Sequence, residues 1–220
     1  MNIDEFNNKQ VEDFHNDKID FSLIVPSKEI KLHQSFYDIS IYPCLQNIDC
    51  NILKEELKET SFWEDWPEYE LSEKGKWKII PLITFGKQRN VENFPKSIKM
   101  LEKIGNIVNA GFSKFSAKTK LTLHKGWGEL SNNVLRCHLG IDVPENCFLY
   151  VIDPYGNYKM KQENDKWIVF DDSLYHSAIN HSDFDRIVFI LDIKRPDYLH
   201  KGVSDVKNTE ELNEFLKNNF

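Results

Sequence analysis

The spacing of apolar residues along the chain changes near residue 110. Before that position, apolar residues recur every three or four positions in 51–66 and again in 93–110, and this period predicts two helices. The second prediction is the stronger, because Pro95 stands near its start and its apolar residues share one face. These apolar residues are Ile98, Leu101, Ile104 and Val108. Helices are therefore expected to come first along the chain.

After residue 110, apolar residues alternate with polar ones or form short runs, as is typical of β-strands. Turn-forming clusters such as "DVPEN" and "DPYGN" separate these runs. The runs lie at 111–124, 132–141, 146–152, 166–170 and 186–193, and similar ones precede them at 18–27 and 75–87. Several short strands in series predict a mostly β fold with flanking helices, either a sandwich or a jelly roll. Residues 208–220 predict a C-terminal helix capped by Asn208 or Thr209.

The chain has 220 residues, which suffices for one sizeable domain. Hydrophobic residues make up 40% and charged residues 29%, an ordinary composition for a globular protein. We expect a single domain over 1–220 with three parts. In it, 1–76 forms an N-terminal strand and helix support region, 77–196 forms the β core and 197–220 forms the C-terminal helix.

Charge and cysteine usage limit the expected partners. The net charge of −7 argues against nucleic acid, which needs a basic face to neutralise phosphates. The chain begins with a polar stretch and contains no run of 18 apolar residues, so neither a secretion signal nor a membrane span is expected. The four cysteines form no C-x-x-C pair, and we expect reduced thiols in a cytoplasmic protein. They are Cys44, Cys50, Cys137 and Cys147.

Two of the seven histidines stand where a metal site could form. His124 and His176 each lie at the edge of a strand-like segment, and a jelly roll can bring such ends together. Neutral imidazoles suit Fe(II), Zn(II) or Cu(II). Sites of the 2-His-1-carboxylate type place a carboxylate two residues after the first histidine, but Gly126 stands there, which on spacing alone weakens the metal hypothesis. Four other histidines lie in polar, turn or terminal stretches and are interpreted as structural or solvated: His15, His33, His181 and His200. His138 lies in the strand-like run at 132–141 and is not interpreted in this way.

Arginine is rare, with four among the 28 cationic residues. Arg136 precedes His138 by two positions, so both side chains share a face of one strand. Arg186 opens the last strand, ten residues after His176. Its planar fork can hold a carboxylate through two parallel hydrogen bonds, which lysine cannot do. A buried arginine needs a partner. Within the protein the candidates are Asp171, Asp172 and Asp185.

Two motifs are more specific, namely R-x-H-L-G at 136–140 and F-D-D-S-x-x-H-x9-R at 170–186. With the stretch from about 77 to 196 around them, they resemble the aspartyl/asparaginyl β-hydroxylase family of Fe(II)- and 2-oxoglutarate-dependent oxygenases. The resemblance implies a double-stranded β-helix, which is a cupin-type jelly roll. It also implies a glycine in place of the carboxylate ligand, so Gly126 fits the family.

The resemblance further implies roles for individual residues and the cofactors Fe(II), 2-oxoglutarate and O2. His124 and His176 would be the iron ligands. Arg186 would hold the distal carboxylate of 2-oxoglutarate with help from Ser113. Arg136 and His138 would support the other carboxylate or the substrate. Asp171 and Asp172 are interpreted as groups that support the site or its turn rather than as ligands.

The expected reaction is hydroxylation at the β-carbon of an Asp- or Asn-like residue, in a peptide or a free amino acid, with a lipid-like acyl chain as a further possibility. Trp127 and Glu129 lie in a stretch that is longer than in the animal enzymes and could shape the substrate mouth. Two alternatives stay open at this point. One is a non-oxygenase cupin that binds another metal through His124, Glu129 and His176, and the other is a non-catalytic binding module.

Overall fold

The computed structural model describes residues 34–68, 70–73 and 75–219, and the strand predicted at 18–27 lies outside them. The strands in this part of the chain are β1 (Phe36–Tyr37), β2 (Glu64–Asp65), β3 (Trp77–Thr84), β4 (Lys87–Gln88), β5 (Ile107–Phe115), β6 (Val134–Asp142), β7 (Cys147–Asp153), β8 (Gly156–Lys161), β9 (Trp167–Phe170), β10 (Tyr175–Asn180) and β11 (Arg186–Lys194). The helices are α1 (Cys50–Lys58), α2 (Pro95–Leu101), α3 (Gly128–Ser131) and α4 (Glu210–Asn219), with short 3-10 turns at Ile39–Ile41 and Pro43–Asn47.

The strands form two antiparallel sheets that face each other. The larger sheet has the order β1-β9-β6-β11-β5-β3-β2, with β4 paired to β3, and the smaller has the order β10-β7-β8. Lys120 and His124 add isolated bridges to β10. Apolar side chains from both sheets meet in one layer, for example Phe170 of the larger sheet and Val151 of the smaller. This arrangement is the predicted jelly roll.

The two faces of the larger sheet bury different kinds of residue. On β11, one alternate set packs with α1 and α2 in the main apolar cluster and consists of Phe189, Leu191 and Ile193. The other set faces the smaller sheet and includes two charged residues, Arg186 and Asp192, which are 1% exposed. Because side chains alternate along a strand, the same β11 serves the core and the polar interior between the sheets.

The helix predicted over 93–110 is too long. It ends at Leu101, and the chain then turns through Gly105 and Asn106, whose φ angles are +68° and +55°. This left-handed backbone stops a helix, and β5 begins at Ile107. Ile104 and Ile107 beyond Leu101 still pack on the main cluster, so the helical spacing of this segment is misleading. The helix predicted over 51–66 likewise ends at Lys58.

Other boundaries were partly wrong as well. The strand predicted over 111–124 ends at Phe115, and β8 and β10 were missed. β10 reads "YHSAIN" and carries mostly polar or small residues, yet five of its six residues are buried. The C-terminal helix is confirmed, and Thr209 Oγ1 accepts a hydrogen bond from the Leu212 amide at 3.2 Å. The division at residues 76 and 196 stays a prediction, although β1 and β2 both pair with strands of the 77–196 core.

A buried ion pair fixes the loop between β9 and β10. Arg195 donates from Nη1 and Nη2 to the two carboxylate oxygens of Asp171 at 2.9 and 2.7 Å. The amide and hydroxyl of Ser173 also donate to Asp171, at 3.0 and 2.6 Å. Because all three residues are buried, these contacts hold the loop in one conformation and so fix the position at which β10 begins.

The four cysteines are free thiols, two of them buried. In the described part of the chain, no helix is long and apolar enough to cross a membrane.

Arg195→Ala leaves Asp171 buried without its cation. We expect the free energy of unfolding in urea to fall by about 3–5 kcal/mol. Lys194→Ala is the matched control, because Lys194 is 63% exposed and 3.9 Å from Asp197. That change should cost less than about 0.5 kcal/mol. Equal effects of the two substitutions would contradict this account of the loop.

Candidate active site

His124 and His176 stand side by side at one edge of the smaller sheet. Their backbones exchange two hydrogen bonds of 3.0 and 2.8 Å, and their ring centroids are 4.3 Å apart. His176 belongs to β10, whereas His124 ends the segment that bridges to it. The structure therefore brings together the two histidines that the sequence separates by more than fifty positions.

Each imidazole is oriented by a carbonyl two residues earlier. His124 Nδ1 lies 2.8 Å from the Thr122 carbonyl oxygen, and His176 Nδ1 lies 2.9 Å from that of Leu174. A carbonyl oxygen accepts only, so Nδ1 carries the proton and Nε2 keeps its lone pair. Burial lowers the pKa of His124 to about 3, with the charge of His176 adding to the effect, and burial lowers the pKa of His176 to about 4. Both rings are thus neutral at pH 7 and present Nε2, the state that a metal requires.

A buried network of charges supports the histidine pair. Arg136 donates from Nε and Nη2 to Asp192 at 2.7 and 3.0 Å and from Nη1 to Asp172 at 2.6 Å. The same Asp172 oxygen lies 3.3 Å from His176 Nε2. Asn109 also donates to Asp192, at 2.9 Å. Arg136 therefore binds the carboxylates of Asp172 and Asp192.

The network carries more negative than positive charge. Two carboxylates share the guanidinium of Arg136, which leaves an excess of one negative charge when both are ionised. Burial raises the pKa of Asp172 to about 6, against the attraction of Arg136. When both carboxylates are ionised, the site beside the two neutral imidazoles favours a cation.

Gly126 is required because Asp172 fills the adjacent space. A Cβ at position 126 would lie 1.9 Å from Asp172 Oδ2 and 2.7 Å from its Cγ. Asp172 is fully buried, and its Oδ2 has no hydrogen-bond partner among the residues that the structure describes. Asp172, from the β9–β10 loop, therefore places a carboxylate next to position 126, where a 2-His-1-carboxylate site would have its own carboxylate residue.

Arg186 forms a second, cationic part of the interior. It is 1% exposed, and within the described residues its three guanidinium nitrogens have no hydrogen-bond partner. Its Cζ lies 3.8 Å from the ring centroid of Phe115, the residue opposite it on β5. Burial lowers the pKa of Arg186 to about 10.

None of the three aspartates considered as partners reaches Arg186. Asp171 binds Arg195, Asp172 binds Arg136, and Asp185 lies 3.9 Å from Lys114. An unpaired buried guanidinium is costly unless a ligand completes it. The interior is therefore complementary to an anion at this position.

His138 adds a neutral donor to the same region. It faces the interior on β6, opposite Ile190 of β11, and so shares a face with Arg136 as predicted. Its Nδ1 lies 3.3 Å from Gln162 Nε2, and its buried Nε2 has no partner in the described chain. Burial and then the charge of Arg186 lower the pKa of His138. Unpartnered polar atoms on His138 and Arg186 mark one anion-binding region.

Ser113 lies on the same face of the larger sheet, but its contact is different from the expected one. It stands opposite Val188 on β11, two positions from the Arg186–Phe115 pair. Its Oγ accepts a hydrogen bond from Trp77 Nε1 at 3.0 Å. A direct role for Ser113 beside Arg186 stays a prediction.

A cavity of about 290 Å³ opens beside the histidine pair. His124, Gly126, Asp172 and Arg136 are among its lining residues, whereas Arg186 and His138 are not. The cavity and the cationic region around Arg186 therefore have different lining residues.

The structure does not support a metal site built on Glu129. Glu129 is exposed on α3, whereas His176 is buried. Among the residues described, no group of three or more His, Cys, Asp or Glu is arranged to hold a metal ion. The pair His124 and His176 is compatible with a metal only if other molecules complete its coordination.

The sequence model of the family described as aspartyl/asparaginyl β-hydroxylase matches residues 46–196. The chain belongs to this family. It is 33% identical over 123 residues to the ornithine lipid ester-linked acyl 2-hydroxylase of Rhizobium tropici, a match that covers 55% of this chain and 42% of that protein. It is 32% identical over 133 residues to the human aspartate beta-hydroxylase domain-containing protein 2, covering 56% of this chain and 34% of that protein. The chain thus spans less than half the length of these relatives.

One solved structure agrees with the fold of this β-hydroxylase family member. A 2OG-Fe(II) oxygenase family oxidoreductase from Burkholderia pseudomallei superposes with a TM-score of 0.53 at 8% identity. The superposition covers 72% of this chain and 82% of that one. At this identity the likeness confirms the jelly roll and nothing finer.

The sequence patterns did not single out several residues that form the site of this β-hydroxylase family member. Asp192 had a readable signal, because it is a charged residue inside the apolar run "RIVFILDI". Gln162 and Phe115 had none, because their roles depend on how distant strands align. Trp66 and Glu68 of the cavity wall also lie outside the predicted β half.

Gly126→Ala should lower the free energy of unfolding by about 1–3 kcal/mol, since its methyl group meets Asp172. Gly156→Ala is the control, because the nearest atoms to a new Cβ there are 3.8 Å away. In an Asp172→Ala background the cost of Gly126→Ala should shrink by at least about 0.5 kcal/mol. A cost that is identical in both backgrounds would show that Asp172 is not what Gly126 accommodates.

Proposed function

We propose that this protein is an Fe(II)- and 2-oxoglutarate-dependent dioxygenase that hydroxylates an unactivated C–H bond. The observation that carries the proposal is the unpartnered, buried guanidinium of Arg186 in an interior that also presents two neutral imidazoles. When bound, iron and 2-oxoglutarate supply the oxidising chemistry that activates O2 for hydroxylation.

His124 and His176 hold the iron through Nε2. Both rings are oriented by their Nδ1 contacts, so their lone pairs are available without rearrangement. Asp172 and Asp192 contribute the excess negative charge that favours a divalent cation. His124 and His176 would be the protein ligands, and the remaining ligands of the iron would come from 2-oxoglutarate and water.

Arg186 holds the distal carboxylate of 2-oxoglutarate. The face of Phe115 fixes the plane of the guanidinium, and His138 Nε2 is available as a further donor. Bidentate arginine–carboxylate pairing provides both energy and direction in such a dry site. Burial of this cation excludes water, so the cofactor meets little competition for these donors.

Asp172 positions groups at the metal without being required as a ligand. Arg136 fixes one of its oxygens, and the other has no hydrogen-bond partner among the described residues. That second oxygen would be available to accept a hydrogen bond from a donor in the metal site. Arg136 is therefore proposed to act through Asp172, and not by direct contact with the cofactor as the resemblance first implied.

Two substrate classes are consistent with the family. One is the expected β-carbon of an Asp- or Asn-like residue, in a peptide or a free amino acid. The other is an acyl chain, the group named for the Rhizobium tropici relative. The cavity favours the acyl chain, because its two cationic side chains already bind carboxylates of the protein and leave no cation in the described lining for a carboxylate of the substrate. Lys125 binds Asp205 at 3.0 Å, and Arg136 binds Asp172 and Asp192.

Succinate release from 2-oxoglutarate under air tests the activity. Purified protein with Fe(II) is offered Asp- and Asn-containing peptides, the free amino acids and acylated amino-acid lipids. We expect Fe(II)-dependent succinate that at least one lipid raises above the substrate-free rate, and loss of this signal in His176→Ala. Failure of every substrate, together with no substrate-free turnover, would contradict the proposed function.

Arg186→Met should have opposite effects on stability and on cofactor binding. In a buffer without carboxylate or phosphate, the variant should be more stable than the wild type by about 1 kcal/mol or more, because an unpaired buried charge is gone. Wild-type protein with metal should gain about 2.7 kcal/mol at 2-oxoglutarate concentrations near 100 times Kd, whereas the variant should not respond.

Arg186→Lys is the control, since it keeps the charge but not the fork. It should show weakened but measurable stabilisation by 2-oxoglutarate. A wild-type response in Arg186→Met would rule out the assigned role of this residue.

A further inference from the structure

The cavity beside His124 has mainly apolar walls drawn from distant parts of the chain. Strands β3 and β5, the loop before β3 and residues 124–127 contribute most of the lining, and the segment that leads into α4 adds to it. The aliphatic residues in the lining include Leu71, Ile79, Ile83, Ile190, Val206 and Leu212. The carboxylates Glu68, Glu70, Asp172 and Asp192 and the paired cations give the same lining no group ready to receive an anion.

Three tryptophans form one wall of this cavity, here called the tryptophan stack: Trp66, Trp77 and Trp127. The centroids of Trp66 and Trp77 are 4.6 Å apart with planes at 20°, and those of Trp66 and Trp127 are 5.6 Å apart with planes at 9°. Each of these indoles is only partly buried. Stacked indoles present a rigid, flat apolar surface at little cost in side-chain entropy.

The polar edges of the tryptophan stack point to fixed acceptors. Trp66 and Trp127 donate from Nε1 to the two carboxylate oxygens of Glu68, at 3.2 and 3.1 Å, and Trp77 donates to Ser113. Glu68 is 7% exposed, and burial raises its pKa. Thr209, the cap of α4, donates to Glu68 as well, at 3.0 Å. One buried carboxylate therefore sets the positions of two indoles and of the segment that covers the cavity.

The stack also leads directly to the proposed cofactor region. Trp77 contacts Phe115 edge-on at 5.7 Å, and Phe115 is the platform of Arg186. His124 and Asp172 also line the cavity. A chain that lies along the tryptophan stack would present its C–H bonds at the histidine pair.

We propose that the cavity is a subsite for a linear hydrocarbon chain of the substrate, and that the tryptophan stack, held by Glu68, is the wall that determines its specificity. The assignment of this chain as the hydroxylated part rests on the proposed function. The binding of the chain does not, because it requires neither metal nor 2-oxoglutarate.

Calorimetric titration of the metal-free protein with n-alkyl maltosides tests the subsite. The neutral head group avoids the carboxylates of the lining, and all probes are kept below their critical micelle concentrations. Each added methylene that enters an apolar site should raise the affinity about fourfold. We expect this increase from hexyl towards decyl maltoside, until the chain exceeds the cavity.

Substitutions in the cavity wall distinguish binding in the cavity from nonspecific adsorption to the protein surface. Trp127→Phe should weaken decyl maltoside binding roughly tenfold, because a large part of the stacked surface is lost. Glu68→Gln removes one of the two carboxylate oxygens as an acceptor and should also weaken binding. Trp167→Phe is the matched control, since Trp167 lies on β9 outside the cavity lining and should leave the affinity unchanged.

The outcomes are distinct. Affinity that does not depend on chain length, or equal losses in Trp127→Phe and Trp167→Phe, would overturn the subsite even if the protein releases succinate with a peptide. Chain-length dependence that is lost in Trp127→Phe supports the subsite, and it does so even if no substrate yields succinate, in which case the proposed function alone fails.

Discussion

Charge buried between the two sheets is the constraint that organises this molecule. A jelly roll of this size would ordinarily fill its interior with apolar side chains, yet β6 and β11 place Arg136, Arg186 and Asp192 there. Arg136 is compensated by two aspartates, whereas Arg186 has no hydrogen-bond partner within the described residues. One half of the interior therefore has excess negative charge when both aspartates are ionised, and the other half holds a cation without a hydrogen-bond partner among the described residues. A bound metal cation would offset the negative charge, and a bound dicarboxylate would pair with the cation.

The loop between β9 and β10 connects this electrostatic pattern to the fold. Asp171 faces away from the site and is fixed by Arg195, while its neighbour Asp172 faces the histidines and excludes any side chain from position 126. Of the two consecutive aspartates, Asp171 therefore stabilises the loop and Asp172 shapes the site. A carboxylate at position 126 would be incompatible with this arrangement, so the glycine is a consequence of Asp172 and not a simple loss of a ligand.

Much of this could be predicted from the sequence, for reasons that are local. Alternation along "NVLRCHLGI" placed Arg136 and His138 on one face, and the structure confirms it. Strand-like runs predicted a sandwich or a jelly roll, and the family resemblance of the spaced motifs implied the jelly roll and singled out His176 and Arg186. Prediction failed where tertiary structure overrides local pattern, as in the helix that ends at Leu101 because the backbone becomes left-handed at Gly105. It failed also for Gln162 and Glu68, whose roles exist only after remote segments meet.

The central claim is that one interior binds iron at His124 and His176 and 2-oxoglutarate at Arg186. It is tested most directly by visible absorption of the anaerobic protein titrated with Fe(II) and then 2-oxoglutarate. The account predicts a weak charge-transfer band of the iron–2-oxoglutarate chelate in the wild type. The band should be absent in a His124→Ala/His176→Ala variant, and it should require far higher 2-oxoglutarate concentrations in Arg186→Met. No band in the folded wild-type protein, or an unchanged band in both variants, would contradict it.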